Sequence, residues 1–326
     1  MPEAREGRAK GVVTTRHAAL LAGAASLTIG ALFLRSARST LLPSGPEPVG
    51  SRSGQLRDGS ATRVVSLVPG ASALLVALGA ADLVVRRTLD DATPELAERA
   101  IVGRVLTPNA ETIVALQPDV VVMWAGARHP SLEEVLGPGV RVMRVSLDRL
   151  EDASLAARAL GAAVGMPEEG IRLSDELDAA LASTRSTRAP CKDLVAAWVV
   201  EYVPPIVAGS ETHLDDLMTH VGVVNAFADA VAPWPRPSLE VLVARRIDLL
   251  IWPVGHDLPP FADLPNNAPW SRTAAGRAGR VIEVDADLMH EVGPRVGEAS
   301  STLSDEVRDA CRRHRVTSSS PKGNPR

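Results

Sequence analysis

Short apolar runs alternate with helix-like segments in the region 62–150. The turn Val68-Pro69-Gly70 follows the first run and leads into ALLVALG, which has helical character and ends at Gly79. Runs of this kind, separated by helices, predict a parallel sheet that is covered by helices on both faces. The four runs are RVVSL (63–67), DLVV (82–85), DVVVMW (119–124) and VRVMRV (140–145).

The pattern changes in the middle of the chain. The segment LEDASLAARALGAAVG (150–165) has helical character and stops at Gly165, a residue type that commonly ends helices. Pro167 and two acids then resemble a first helical turn, and apolar residues recur at helical spacing to about Arg188. Strand-like runs resume only at 194–201. One long helix is therefore predicted to bridge two α/β regions.

The two halves of the chain contain similar segments. The sequences ETIVALQPDVVVMW (111–124) and EVLVARRIDLLIW (240–252) each read as an acid, a short helix, an aspartate, an apolar strand and a tryptophan. Chance similarity between α/β segments is one explanation. The other is a duplicated lobe, with one copy of the unit in each half.

These patterns predict an α/β protein with two lobes, each with a central parallel sheet, joined by one long rigid helix. The predicted segments are an export signal or anchor (1–35), a flexible linker (36–61), an N-terminal lobe (62–165), a connecting helix (166–189), a C-terminal lobe (190–315) and a disordered tail (316–326).

The N-terminal segment has the layout of an export signal. Four basic residues precede an apolar run at 18–34, and Arg35 and Arg38 follow it. A cleaved signal and an uncleaved inner-membrane anchor both fit this pattern, and a buried helix fits it less well. We expect a periplasmic or extracytoplasmic protein.

Composition excludes several classes of function. The net charge of −4 argues against a nucleic-acid partner, because phosphate binding needs a clustered positive surface. Two cysteines, Cys191 and Cys311, are too few for a zinc cluster, although one disulfide is open to them. Glycine-rich nucleotide loops and the common hydrolase and metalloprotease motifs are absent from the sequence, so we expect a protein that is not an enzyme and has no resident cofactor or metal.

The scarce aromatic residues are candidate ligand contacts. Trp124 and Trp252 each end a strand-like run, and ligands of parallel α/β sheets bind beyond the carboxyl ends of strands. Trp234 lies in a proline-rich stretch that holds it on a loop. Packing is the alternative for all three, and it is the preferred interpretation for Trp198 and Trp270.

Four charged or titratable residues have two interpretations each. Glu111 and Glu240 are either ordinary acids at helix starts or a matched pair of charges that a partner's arginines contact. His213 and His220 share one face of a predicted helix, and the acids between them favour a solvated face.

Residues 62–305 resemble the periplasmic iron-chelate and cobalamin-binding proteins, which are receptors of ABC importers. The resemblance implies two α/β lobes joined by one long helix, with the ligand cleft between the lobes and little hinge bending on ligand capture. It also implies an ABC permease with its ATPase as partners, and that Glu111 and Glu240 dock onto permease arginines. The stretches that carry it are RVVSLVPGASALLVALGA, VGRVLTPNAETIVALQPDVVVMWAG, VAGSETHLDDLMTHVGVVNAF, WPRPSLEVLVARRIDLLIW and GRVIEVDADLMHEVGPRVGEA.

Within that family the cobalamin receptors are the most similar. This resemblance implies ligand contacts from Trp124, Trp234 and Asp287, to which the turn residue Pro69 and the strand-end Trp252 are added. The chain departs from the receptors in having Val105 and Leu288 at cleft aromatic positions and Thr88-Leu89-Asp90-Asp91 in place of an aromatic loop. Haem, a siderophore or another corrinoid therefore stays open as the ligand. Haem receptors use Tyr or His as iron ligands, and Tyr202 with His129 or His256 could serve in that way, although no spacing in the sequence selects them.

We expect a monomeric receptor that captures a cobalamin-like corrinoid or an iron chelate and delivers it to a permease. The alternatives are a membrane-tethered α/β enzyme and a ligand sensor outside the cytoplasm.

Overall fold

The computed structural model describes residues 62–185, 191, 193–255, 259–265 and 268–318, with the side chains of 314–318 left out. The first sheet has the strand order β2-β1-β3-β4 and is entirely parallel. Its strands are β1 (Val64–Ser66), β2 (Val84–Arg86), β3 (Val120–Trp124) and β4 (Arg141–Val145). Its helices are α1 (Pro69–Ala77), α2 (Ala110–Ala115), α3 (Pro130–Val135) and α4 (Asp152–Ala163), with 3-10 turns at Ala81–Leu83 and Pro94–Leu96.

The second sheet has the order β6-β5-β8-β9, and β7 also pairs with β5. Its strands are β5 (Val195–Tyr202), β6 (Pro205–Val207), β7 (Val224–Asn225), β8 (Leu249–Val254) and β9 (Val281–Asp285). The helices from the bridge onward are α5 (Pro167–Arg185), α6 (His213–His220), α7 (Leu239–Ala244), α8 (Ala274–Arg277), α9 (Ala286–Met289) and α10 (Val296–Ser318), with 3-10 turns at Phe261–Asp263 and Trp270–Arg272.

Both faces of each sheet are covered by helices. In the first sheet Val64 and Val120 face α1 and α4, whereas Val65 and Val121 face α2 and α3. Strands buried on both sides lose the apolar-polar alternation of a half-exposed sheet, which is why they read as continuous apolar runs. The apolar layer on the α1 side is continuous with the core of the second lobe, from Leu74 to Trp198 and Leu214, and we call this continuous layer the shared core.

Helix α5 packs against helices of both lobes. A Cβ on Gly161 of α4 would lie 2.7 Å from Gly170 Cα, so α4 and the first half of α5 touch backbone to backbone. Near the other end of α5, a Cβ on Gly297 of α10 would lie 2.5 Å from Ala180 Cβ. Because interiors are close-packed, contacts this tight oppose bending of the bridge.

Much of the predicted architecture is observed. The apolar runs are strands, the helix predicted over 166–189 is α5, and Gly165 ends α4 with a positive φ of 82°. The second sheet differs in one respect, because β6 pairs antiparallel with β5. The tail prediction is wrong at its start, since α10 continues through Ser318.

The predicted export signal and linker, 1–61, lie outside the described residues, as does most of the tail. Within the described ranges, no helix is both long enough and apolar enough to cross a bilayer.

A disulfide joins Cys191, which follows α5, to Cys311 on α10, with their Cα atoms 5.8 Å apart. Cys311 is almost fully buried within the shared core. The bond closes a loop that contains nearly all of the C-terminal lobe.

Candidate functional site

The two lobes touch where the carboxyl ends of their strands face each other. Gly70, in the first turn of α1, lies against the loop between α9 and α10, so that a Cβ on Gly70 would stand 2.2 Å from Val292 O. The same Cβ would lie 2.8 Å from Leu147 Cδ1, in the loop after β4. We call this contact region, formed by the strand-end loops of both lobes, the interlobe junction.

Gly70→Ala should destabilise the protein, because the new methyl group has a backbone oxygen in its way and the two loops must separate to admit it. Overpacking of this kind typically costs about 1–3 kcal/mol. The free energy of unfolding, measured by urea denaturation, tests this.

Gly137→Ala is the matched control, since a Cβ there meets nothing within 4 Å. Equal stability of the two variants would show that the close approach at Gly70 is not a constraint.

A second contact crosses the interlobe junction through Asp216 on α6. Its Oδ1 is ion-paired with the Arg149 guanidinium, and its Oδ2 accepts a hydrogen bond from the Leu150 backbone N–H at 3.2 Å. Arg149 and Leu150 lie in the loop after β4. The carboxylate thus joins α6 to the end of the first sheet.

Trp124 occupies the end of β3, as the sequence predicted. Its side chain is half-buried on the shared core, and its indole lies over Gly126, where a Cβ would come within 2.7 Å of Cζ2. The indole N–H donates to the Asp148 carboxylate, and burial raises the pKa of Asp148 despite this hydrogen bond. The ring is therefore fixed in place and still partly accessible.

Trp234 is held by a loop that is hydrogen-bonded to the backbone around β6. Gly209 N–H donates to Pro233 O at 2.8 Å, and Val207 N–H donates to Pro235 O at 3.1 Å. The indole is half-buried and packs on the shared core. The sequence prediction of an aromatic residue on a rigid loop agrees with this geometry.

The imidazole of His213 lies beneath Trp234, with ring centroids 6.4 Å apart. The predicted solvated face is wrong, because His213 and His220 are each only 5% exposed. Helix α6 packs on the shared core, and His220 Nε2 is 2.7 Å from Leu181 O on the bridging helix. Burial lowers the pKa of His213 to about 3, so this imidazole is neutral at physiological pH.

The remaining ligand candidates have different positions. Pro69 is half-buried beside Gly70 at the interlobe junction, and Asp287 is exposed in the first turn of α9. Trp252 is fully buried, makes edge contacts with Phe261 and Trp270, and donates from its indole N–H to a backbone carbonyl. The prediction of a ligand contact is wrong for Trp252, because its side chain lies on the face of β8 that packs against α7 and α8.

The interlobe junction is also rich in carboxyl groups whose pKa is raised. In the described part of the chain these are Asp148, Asp216 and Glu291, and burial is the first cause of the raised pKa in each case. Sequence reasoning missed this cluster, since the three residues come from separate segments and only the fold brings them together.

Glu111 and Glu240 occupy equivalent places in the two lobes. Each is the second residue of a short helix, after a cap whose side chain accepts from a backbone N–H: Asn109 from Thr112 and Ser238 from Val241. Both carboxylates are exposed. The Ser238 hydroxyl lowers the pKa of Glu240, which is therefore ionised at neutral pH.

The internal similarity extends beyond these acids. Asp119 Oδ2 accepts from Arg63 N–H at 2.8 Å, and Asp248 Oδ2 accepts from Val195 N–H at 3.2 Å. Each aspartate thus ties the start of its own strand to the start of the neighbouring strand. The two units are alike in structure as well as in sequence.

Two other features do not form the site. A hollow of about 90 Å³ lies between α3 and β4 on the outer face of the first lobe, and it is too small for a drug-sized ligand. No cluster of three or more His, Cys, Asp or Glu side chains suited to a metal ion occurs among the described residues.

Tyr202, the only tyrosine of the chain, packs on the outer layer of the second sheet, on the face opposite to that of Trp234.

Comparison with known proteins gives a matching family and a number of similar relatives. The family profile described as periplasmic binding protein matches residues 64–288. A vitamin B12-binding protein of Photorhabdus laumondii is 23% identical over 249 residues, 76% of this chain and 88% of its own length. An uncharacterised ABC transporter substrate-binding lipoprotein of Bacillus subtilis is 22% identical over 253 residues, 75% of this chain and 79% of that protein.

Among solved structures, the apo form of a periplasmic haem-binding protein of Roseiflexus superposes with a TM-score of 0.68. It is 26% identical in sequence, over 77% of this chain and 99% of that protein.

Proposed function

Because this chain belongs to the periplasmic binding protein family, we propose that it captures a cobalamin-like corrinoid between its lobes and delivers it to an ABC permease with its ATPase. Its relatives are binding proteins, which favours a receptor over a tethered enzyme or a sensor. We further propose an extracytoplasmic location, with residues 18–34 as the export signal or anchor.

The observation that carries this proposal is the pair Trp124 and Trp234. Each lobe contributes one half-buried indole, and each indole is fixed by its surroundings: Trp124 by Asp148 and Gly126, Trp234 by the loop hydrogen-bonded at Gly209. Rigid aromatic faces bind large, flat, apolar ring systems at low entropic cost. Corrinoids and haem both have such rings.

The charge of the interlobe junction favours a corrinoid over haem. Haem carries propionate carboxylates, whereas a corrinoid carries amide side chains around its ring. Asp148 and Glu291 can exchange hydrogen bonds with amides, whereas the Arg149 guanidinium, which could pair with a propionate, is already ion-paired with Asp216. A haem site with an axial tyrosine is also disfavoured by the position of Tyr202.

Titration with cyanocobalamin should quench tryptophan fluorescence saturably, and Trp124→Ala or Trp234→Ala should weaken binding. Loss of a buried aromatic contact costs about 1–3 kcal/mol, which corresponds to a roughly 5- to 150-fold rise in Kd. Calorimetry or fluorescence measures the effect.

The corresponding Phe variants should lose less affinity, since they keep a ring, and Val135→Ala, at an exposed valine of α3, should lose none. Tighter binding of haemin than of cyanocobalamin would reject the corrinoid. Unchanged affinity in both Ala variants would show that the indoles only pack.

A further inference from the structure

The loop that follows β4 begins beside Trp124. In the parallel pair of β3 and β4, Trp124 lies opposite Val145, the last residue of β4. The Trp124 indole N–H donates to the carboxylate of Asp148 in this loop. Arg149, the next residue, is ion-paired with Asp216 on α6. Two consecutive residues of one loop therefore contact the indole of the first lobe and a helix of the second lobe.

The loop is fastened to α4 by Asp152, the first residue of that helix. Asp152 Oδ2 accepts hydrogen bonds from Asp148 N–H and from Arg149 N–H, both at 2.9 Å. The Ser146 hydroxyl lies 2.9 Å from the same oxygen and 3.0 Å from Asp148 Oδ2. Local hydrogen bonds from a side chain to the backbone fix the conformation of a loop. Asp148 and Arg149 are therefore held in fixed positions relative to each other.

Helix α6 supports Trp234 in two ways. The His213 imidazole lies beneath the Trp234 indole, and Asp216 follows one helical turn later on the same face of α6. At the start of the helix, the Thr212 hydroxyl donates to Gly209 O at 3.0 Å. Gly209 N–H in turn donates to the backbone of the Trp234 loop at 2.8 Å. One short helix thus supports the indole of the second lobe and carries the carboxylate that reaches the first lobe.

We propose that the ion pair between Arg149 and Asp216 positions the two half-buried indoles relative to each other, which makes both residues positioning residues for ligand capture. This inference rests on the proposed capture of a corrinoid between Trp124 and Trp234. Without the pair, the loop after β4 and α6 lose a contact that joins the supports of the two rings. A site that is arranged before the ligand arrives binds at a lower entropic cost, so loss of the pair weakens binding.

The ion pair contributes more to this geometry than to stability. The side chains of Arg149 and Asp216 are 40% and 19% exposed, and ion pairs in contact with water contribute little to the free energy of unfolding. The shared core and the close contact at Gly70 hold the lobes together independently of the pair. Loss of the pair should therefore lower ligand affinity and leave the unfolding midpoint nearly unchanged.

Arg149→Met and Asp216→Asn should each raise the Kd for cyanocobalamin about 2- to 30-fold, the range for substitutions that act on a site without contacting its ligand. Arg149→Lys keeps the charge and should restore most of the affinity. Asp175→Asn, which breaks an exposed ion pair with Arg158 between α4 and α5, is the matched control and should leave the Kd unchanged. Calorimetry measures affinity, and urea denaturation measures the unfolding midpoint.

A double-mutant cycle separates positioning from a direct contact between the ion pair and the ligand. If Asp216→Asn acts through the indoles, it should have no further effect on the Kd in protein that already carries Trp124→Ala. Equal losses of affinity with and without Trp124→Ala would overturn the proposal. An unchanged Kd in both Arg149→Met and Asp216→Asn would also overturn it.

A measurement without ligand keeps this test apart from that of the proposed function. With fluorotryptophan in place of all five tryptophans, the fluorine NMR signals of Trp124 and Trp234 can be assigned from their Phe variants. Asp216→Asn should shift or broaden both signals, whereas Trp252, which lies outside the shared core, should keep its signal. These changes in a protein that fails to bind cyanocobalamin would reject the corrinoid and support the coupling of the indoles. Binding of cyanocobalamin with both signals unchanged by Asp216→Asn would reject the positioning role alone.

Discussion

Breaking the Cys191–Cys311 disulfide should lower the free energy of unfolding by about 2–5 kcal/mol. The two residues are 120 positions apart, so the bond closes a long loop and greatly restricts the unfolded chain. It also pins the end of α10 to the segment that leads into β5. Urea denaturation of Cys191→Ala/Cys311→Ala, compared with the oxidised protein, measures the loss.

Reductant provides the matched control for this prediction. Dithiothreitol should destabilise the unchanged protein to about the same extent as the double variant, and it should leave the double variant unaffected. Alanine is preferred to serine, because Cys311 is 1% exposed and a hydroxyl there would be buried without a partner. Equal midpoints for the oxidised, reduced and substituted proteins would show that the bond contributes nothing.

The disulfide also bears on the cellular compartment of the protein. Disulfides form and persist in oxidising compartments, so this one agrees with the export proposed from the N-terminal segment. The sequence alone left this disulfide open, because Cys191 and Cys311 are 120 residues apart and come together only when the second lobe has folded.

Local patterns predicted the elements of the fold well. Strands buried on both faces are apolar throughout, so β3 and β8 could be recognised as continuous apolar runs in the sequence. Helix α5, which begins at Pro167 and ends at Arg185, could be recognised from the helical spacing of its apolar residues. The antiparallel strand β6 was not predicted, because its three residues include a proline and the hairpin that reverses the chain is short.

Burial that depends on contacts between distant segments could not be predicted from the sequence. The polar neighbours of His213 and His220 indicated solvent, yet α6 has tertiary neighbours on that side. The carboxyl cluster was missed for a related reason, since Asp148 and Asp216 come from different lobes and only the fold brings them to the interlobe junction. Trp124 and Trp234 could be chosen from strand-end and loop position, but the same rule selected Trp252, whose orientation across the sheet a single sequence does not give.

Glu111→Lys/Glu240→Lys should abolish ligand uptake by the reconstituted transporter while leaving ligand affinity in solution nearly unchanged. Both acids are exposed and lie at the second position of equivalent helices. If each lobe presents one carboxylate to a permease arginine, the contact is a charge-assisted hydrogen bond. Reversal adds repulsion to the lost attraction, so Lys should impair uptake more than Ala, and the double variants more than the single ones.

The control for charge alone is Glu134→Lys/Asp263→Lys, which changes two exposed acids, one in each lobe, by the same amount. This variant should retain most of its uptake, because general electrostatic steering depends on net charge, whereas docking depends on position. Surface substitutions usually cost little stability, so both double variants should fold and bind cyanocobalamin. Full uptake by Glu111→Lys/Glu240→Lys would leave the two acids as helix-start residues. Loss of ligand binding would instead connect these helix ends to the cleft.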